Sequence, residues 1–214
     1  QLVITGMHLS PEFGLTYQEI EKDGFPIADR IEMLLSSDTS VGITKSMAVA
    51  LMGFGECFDR LKPDIVVILG DRYEMLMVAS AAMVAKIPVA HIHGGEITEG
   101  AMDDAIRHSL TKMSQLHFAS TEKYRRRIIQ LGENPENVFH VGSLGVENIV
   151  NETLLDKVAF EESIDFTVDD NTIMVTYHPV TLENVPSKVQ FEKLLTVIEN
   201  NPKLRVIFTK ANSD

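Results

Sequence analysis

Asp64-Ile65-Val66-Val67-Ile68-Leu69-Gly70-Asp71-Arg72-Tyr73-Glu74, followed shortly by Pro88-Val89-Ala90-His91-Ile92-His93-Gly94-Gly95-Glu96, decides the fold. The first run is continuously apolar from Ile65 to Leu69, the pattern of a parallel strand buried on both sides. Residues 74–86 between the two runs are rich in alanine and methionine and predict a helix. Strand, helix and strand in so short a span make a βαβ unit, which implies a parallel sheet with helices on both faces.

The same alternation extends outward. Upstream, Met47, Leu51, Phe54, Phe58 and Leu61 recur at helical spacing, and Pro63 closes that helix. Leu2-Val3-Ile4 reads as a strand ending at Gly6. Downstream, a helix over 103–114, a strand near 116–119, a helix over 121–131 and a strand over 138–141 continue the pattern. Residues 1–150 are therefore expected to form a Rossmann-like domain. Over 151–170, Glu152, Asp156, Glu161, Glu162, Asp165, Asp169 and Asp170 stand against Lys157 alone, which predicts a solvated linker with a helical turn. A new strand over 172–177, a helix over 187–199 and a strand over 204–208 open a second α/β domain at 171–214.

Composition excludes several classes of function. The chain has 214 residues with 19 basic and 31 acidic side chains, a net charge of −12 that disfavours nucleic acid as a partner. Cys57 is the single cysteine, so no intrachain disulfide forms, and a reducing, cytoplasmic setting is expected. No uninterrupted apolar run approaches the roughly 20 residues that span a bilayer, so no membrane partner is expected. The P-loop pattern is absent, Gly53-Phe54-Gly55 lacks the third glycine of a dinucleotide fingerprint, and no Gly-x-Ser-x-Gly elbow occurs. No cofactor is expected.

In an open parallel sheet, ligands bind beyond the carboxyl ends of the strands. Asp71 and Arg72 follow one strand, and His93 and Glu96 follow the next. An acid beside an arginine offers a proton acceptor and a phosphate partner. The competing reading makes Asp71 a helix cap and pairs Arg72 with a surface acid. Asp103 and Arg107 are spaced to share a helix face, as are Asp104 and His108, although carboxylates in a first turn also serve the helix dipole. His91 and His93 alternate along a strand with Glu96 close behind, a set that invites zinc. A ligand so close in sequence needs a tight turn, so local hydrogen bonding or proton handling is preferred and no metal is expected.

Gly70-Asp71-Arg72-Tyr73-Glu74, His91-Ile92-His93-Gly94-Gly95-Glu96 and Asp103-Asp104-Ala105-Ile106-Arg107-His108 closely resemble the hydrolysing UDP-N-acetylglucosamine 2-epimerases. Gln130-Leu131-Gly132-Glu133, Val141-Gly142-Ser143, Tyr177-His178-Pro179-Val180-Thr181 and Asn212-Ser213-Asp214 are similar too. The resemblance implies a glycosyltransferase-B-like architecture, two Rossmann-like domains across a cleft, with a first strand preceding Gln1 and the rest of the UDP site beyond Asp214. It implies elimination of UDP across C1–C2 and then hydration, giving N-acetylmannosamine in sialic-acid-type sugar biosynthesis, and a homodimer. It places Asp71 and Asp103 in acid–base work with Glu96 as a further candidate. Arg72 and His178 then meet the diphosphate, and Asn212 lies at the nucleotide. Many members carry glutamate at the position of His93, so either His93 or Glu96 takes that proton-transfer role. UDP-N,N′-diacetylbacillosamine is the alternative substrate. A glycosyltransferase of the same architecture, a non-hydrolysing epimerase and a non-catalytic nucleotide-sugar sensor are the further alternatives.

Overall fold

The structure, a computed structural model, describes residues 1–37, 39–178 and 185–209. The chain divides into two compact units, one of residues 1–99 with 103–144 and one of 100–102 with 145–214.

In the first unit, β1 (Leu2–Thr5), α1 (Tyr17–Lys22) and β2 (Ile27–Ile31) build a two-stranded parallel sheet. The sequence reading did not foresee β2, because Asp29 and Arg30 interrupt its apolar pattern; Asp29 pairs outward with Arg60. Next come α2 (Ser40–Leu61), β3 (Val66–Leu69), α3 (Tyr73–Val84), β4 (Val89–Ile92), α4 (Asp103–Met113), β5 (Leu116–Ala119), α5 (Glu122–Gln130) and β6 (Val138–His140). Strands β3, β4, β5 and β6 pair in that order, all parallel.

That order corrects one expectation. Strands added in a single direction through right-handed crossovers place every connecting helix on the same face. Ile68 and Val89 on that face share a core with Phe54 and Phe58 of α2, Val78 and Ala82 of α3, and Ile106 and Leu110 of α4. Ile128 of α5 packs on Ala119 and Val138. On the opposite face Val67 is 61% exposed, Leu69 52% and Phe139 43%. The apolar run is buried on one side only. Helix α2 has the length and mean hydropathy of a membrane span. Within this unit it is a core helix, with Ala50, Phe54, Cys57 and Phe58 buried.

The second unit holds most of α6 (Leu144–Asn151), then α7 (Lys157–Ile164), β7 (Thr172–Val175), α8 (Ser187–Glu199) and β8 (Arg205–Phe208). Strands β7 and β8 pair in parallel, and Phe191 of α8 packs against Tyr177 and Phe208. The acidic stretch expected as a linker contains α7, a full helix rather than one turn. Asp156 caps it by accepting from Ala159 N at 2.9 Å, and Asp165 ends it in the left-handed conformation.

Candidate functional site

The register of the main sheet brings the candidate residues of the first unit together. Leu69 of β3 lies opposite Ile92 of β4, so Asp71 and His93 leave adjacent strands at the same carboxyl edge. Gly70 N donates to Ile92 O at 3.0 Å and His93 N donates to Phe118 O at 2.9 Å, which tie both strand exits to their neighbours.

Asp71 does not cap α3. Arg72 occupies the cap position, without a side-chain capping bond. The Asp71 carboxylate instead accepts from the Arg107 guanidinium of α4. Arg107 is buried, and burial lowers its pKa from the ordinary arginine value. It also donates to Thr98 Oγ1 at 2.8 Å and reaches Asp104 Oδ1 at 3.5 Å. The helical spacing had matched Arg107 with Asp103. The partner is Asp104, one residue nearer, and the rest of the fork reaches across to β3. The expected face shared by Asp104 and His108 is present, with their side chains 3.7 Å apart. Asp103 opens α4, and its carboxylate forms no hydrogen bond or ion pair with another described residue. Arg72 Nε and Nη2 lie 3.3 and 3.2 Å from Glu74 Oε1, and Glu74 is buried.

His93 has left the strand. Its φ of +63° is the left-handed conformation, which costs a residue with a Cβ roughly 1–2 kcal/mol. The expected alternation of His91 and His93 therefore breaks at this residue. His93 Nδ1 lies 3.0 Å from Glu96 Oε1, and Ser120 Oγ donates to the same carboxylate oxygen at 2.6 Å. With Nδ1 donating to Glu96, Nε2 is the ring's proton-accepting atom, and it has no hydrogen-bond partner among the described residues. The turn that brings Glu96 back under His93 requires Gly95. A Cβ there would stand 2.5 Å from Tyr124 O, and Arg127 donates to the Gly95 carbonyl.

His91 is turned the other way. Its Nε2 lies 2.7 Å from Gly70 O, and no burial-exposed edge remains. Among the described residues, no three His, Cys, Asp or Glu side chains are grouped to hold a metal ion. Burial pushes the His91 pKa down from about 6.5 to about 4, against the opposing hydrogen bond to Gly70. His117, also buried, is shifted the same way. Such histidines stay neutral in the folded state, while the unfolded chain takes up protons below pH 6.5. Stability is therefore full above pH 6.5 and falls as pH drops towards 4. For His91 this loss is about 2 kcal/mol between pH 7.5 and 4.5. Urea unfolding of the full-length protein at those two pH values checks it. His91→Gln is expected to lose about 2 kcal/mol less than the wild type, and equal losses would contradict the assignment.

His178 belongs to the second unit, exposed just beyond the carboxyl end of β7. Asn212 lies outside the described residues. The sequence offers Arg107 only as a helix-face partner of Asp103, and no motif in it marks Ser120. Ser120 follows β5 directly, so the strand-end rule that found Asp71 and His93 also reaches it.

Parallel strands with ionisable groups at their carboxyl ends define an α/β protein with an open parallel sheet. The family model for UDP-N-acetylglucosamine 2-epimerase matches residues 1–214, and the chain belongs to that family. It is 48% identical over its whole length to a Campylobacter jejuni protein named GDP/UDP-N,N′-diacetylbacillosamine 2-epimerase (hydrolyzing), of which it covers 56%. It is 42% identical over 92% of its length to the Escherichia coli polysialic acid biosynthesis protein P7, covering 50% of that protein. The chain thus spans about half the length of these relatives. Among solved structures, the Neisseria meningitidis UDP-GlcNAc 2-epimerase bound to UDP-GlcNAc superposes over the whole chain and 58% of its own. The TM-score is 0.76 at 20% identity, a likeness of fold.

Proposed function

We propose that the full-length protein is a hydrolysing nucleotide-sugar 2-epimerase. The observation that carries this reading is the pairing, in a member of this family, of Asp71 and His93 at the ends of adjacent parallel strands. In this reaction a base removes the C2 proton while the C1–O bond breaks and the nucleoside diphosphate leaves. Water then adds its oxygen at C1, and C2 receives a proton on the opposite face. Two proton-handling groups are needed, and donors must meet the charge growing on the diphosphate.

Asp71 and His93 are the two proton-handling groups in this reading. Glu96 holds His93 through Nδ1, which leaves Nε2 as the reacting atom; the arrangement follows the logic of a carboxylate orienting a catalytic histidine. Asp103, whose carboxylate is not engaged by another described side chain, is the further acid in this reading. Arg72 and His178 meet the diphosphate and Asn212 the nucleotide, with residues 171–214 opening the nucleotide-binding domain. The setting is cytoplasmic.

For the sugar, a diacetylated bacillosamine on UDP or GDP takes first place, because the relative 48% identical over the whole chain carries that name. This reverses the order set by the sequence motifs alone. UDP-N-acetylglucosamine is the second reading, supported by the description of the matching family model. The test is kcat/KM of the full-length protein on each nucleotide sugar without acceptor. A preference of at least about tenfold for the diacetylated sugar supports the first reading, well within what a few polar contacts provide. The opposite preference moves UDP-N-acetylglucosamine forward, and no release of diphosphate from either rejects both. His93→Ala is expected to lower kcat at least about tenfold. A near-normal kcat in that variant removes His93 from the chemistry.

A further inference from the structure

His91 is the most enclosed titratable group near the site, and the reaction as drawn makes no use of it. Its ring meets the main chain beside Asp71 directly, and that of Arg107 through the Thr111 hydroxyl. Nε2 faces the Gly70 carbonyl at 2.7 Å, and a carbonyl only accepts, so Nε2 carries the proton and donates. Gly70 directly precedes Asp71.

On the other side of the ring, Nδ1 faces Thr111 Oγ1 at 3.4 Å. That hydroxyl also lies 3.1 Å from the carbonyl oxygen of Arg107, and its single proton is shared between this carbonyl and the Nδ1 lone pair. Arg107 is the residue whose guanidinium grips Asp71. One side chain thus braces the turn that carries the carboxylate and the helix turn that carries its cation. Gly94 closes the arrangement: a Cβ there would meet His91 Nδ1 at 3.0 Å and Thr111 Oγ1 at 3.1 Å. Burial holds the imidazole in its neutral form, so the donor at Nε2 and the lone pair at Nδ1 persist at working pH.

Resting on the reading that Asp71 handles a proton, we propose that His91 is a positioning residue that sets the Asp71–Arg107 pair through Gly70 and Thr111. It touches no substrate. Its task is the fixed placement of a carboxylate for which displacement by about 1 Å costs on the order of 10²-fold in rate.

The test compares His91→Met, His91→Asn and His91→Gln in the full-length protein. Gln places an amide donor where Nε2 stands. Asn places one only at Nδ1, out of reach of Gly70, and Met removes both. The first readout needs no substrate: the side-chain ¹H–¹⁵N resonances of Arg107. They are expected to be protected from exchange in the wild type and His91→Gln, and to lose that protection in His91→Met and His91→Asn. The second is kinetic, with kcat lowered at least about tenfold in Met and Asn, KM within about threefold of wild type, and Gln restoring most of kcat. Equal loss in all three variants marks a packing role and overturns the proposal. Unchanged Arg107 protection in Met and Asn overturns it too. A wild-type protein that turns over neither nucleotide sugar defeats the functional reading, and the Arg107 signal then decides the placement of the pair by itself. If Met does not fold, Asn carries the same comparison.

Discussion

Asp71→Asn is expected to lower turnover by about 10³-fold, the upper part of the range for loss of a general acid–base group. The substitution keeps the size and planarity of the side chain and removes its charge, and with it the capacity to take a proton and the ion pair with Arg107. Asp71 leaves β3 at the carboxyl edge of the sheet and is held there by the guanidinium of Arg107. Its position is fixed before substrate arrives, which is the arrangement proton transfer from a weakly acidic C2–H requires. Diphosphate binding depends on other groups in this account, so KM or product affinity changes little. Single-turnover kinetics on the full-length variant give the measurement. A rate within about tenfold of wild type excludes Asp71 as a proton-handling group.

Arg107→Met is expected to carry the second-largest effect, on stability as well as rate. Arg107 is buried and its guanidinium meets Asp71, Asp104 and Thr98. An exposed pair contributes at most about 1 kcal/mol, but removing one partner of a buried pair costs about 3–5 kcal/mol because the other charge is left without its cation. Asp71 and Asp104 retain some solvent contact, so a loss of about 3 kcal/mol is expected in chemical unfolding at pH 7.5. Combining Arg107→Met with Asp71→Asn should recover part of this, since the unpaired carboxylate is then gone. A loss below about 1 kcal/mol, with no recovery in the double variant, would show the pair to behave as a surface contact.

The parts of the fold legible in the sequence were those with a local physical signature. The strands β3 to β6 stand out as apolar runs separated by helical periods, and Ser187–Glu199 and Leu116–Ala119 fall where their patterns place them. Helix α7 was hidden because its acidic composition reads as solvated chain, although Asp156 supplies a capping residue. The one-sided burial of Val67 and Leu69 was not legible for a different reason. An apolar strand does not say which faces helices will cover; the order of strands β3 to β6 does, and that order is a tertiary property.

The site divides the same way. Asp71, His93 and Glu96 could be found because strand ends are where an open parallel sheet binds ligands. The partner of Asp71 could not. Helical spacing identifies which side chains share a face of α4, but not that Arg107 turns from Asp103 to reach a carboxylate 36 positions back. The division of labour between His93 and Glu96, open in the sequence, takes its geometric support from the Nδ1 contact that leaves Nε2 for chemistry.

The central claim is the abstraction of a proton from C2 with loss of the nucleoside diphosphate, and proton NMR in D₂O tests it most directly. The full-length protein is incubated with UDP-N,N′-diacetylbacillosamine and, in parallel, with UDP-N-acetylglucosamine. The account predicts free 2-epimeric sugar bearing deuterium at C2, with nucleoside diphosphate released in equal amount. Free sugar that retains its C2 proton, or both nucleotide sugars left intact, would contradict it.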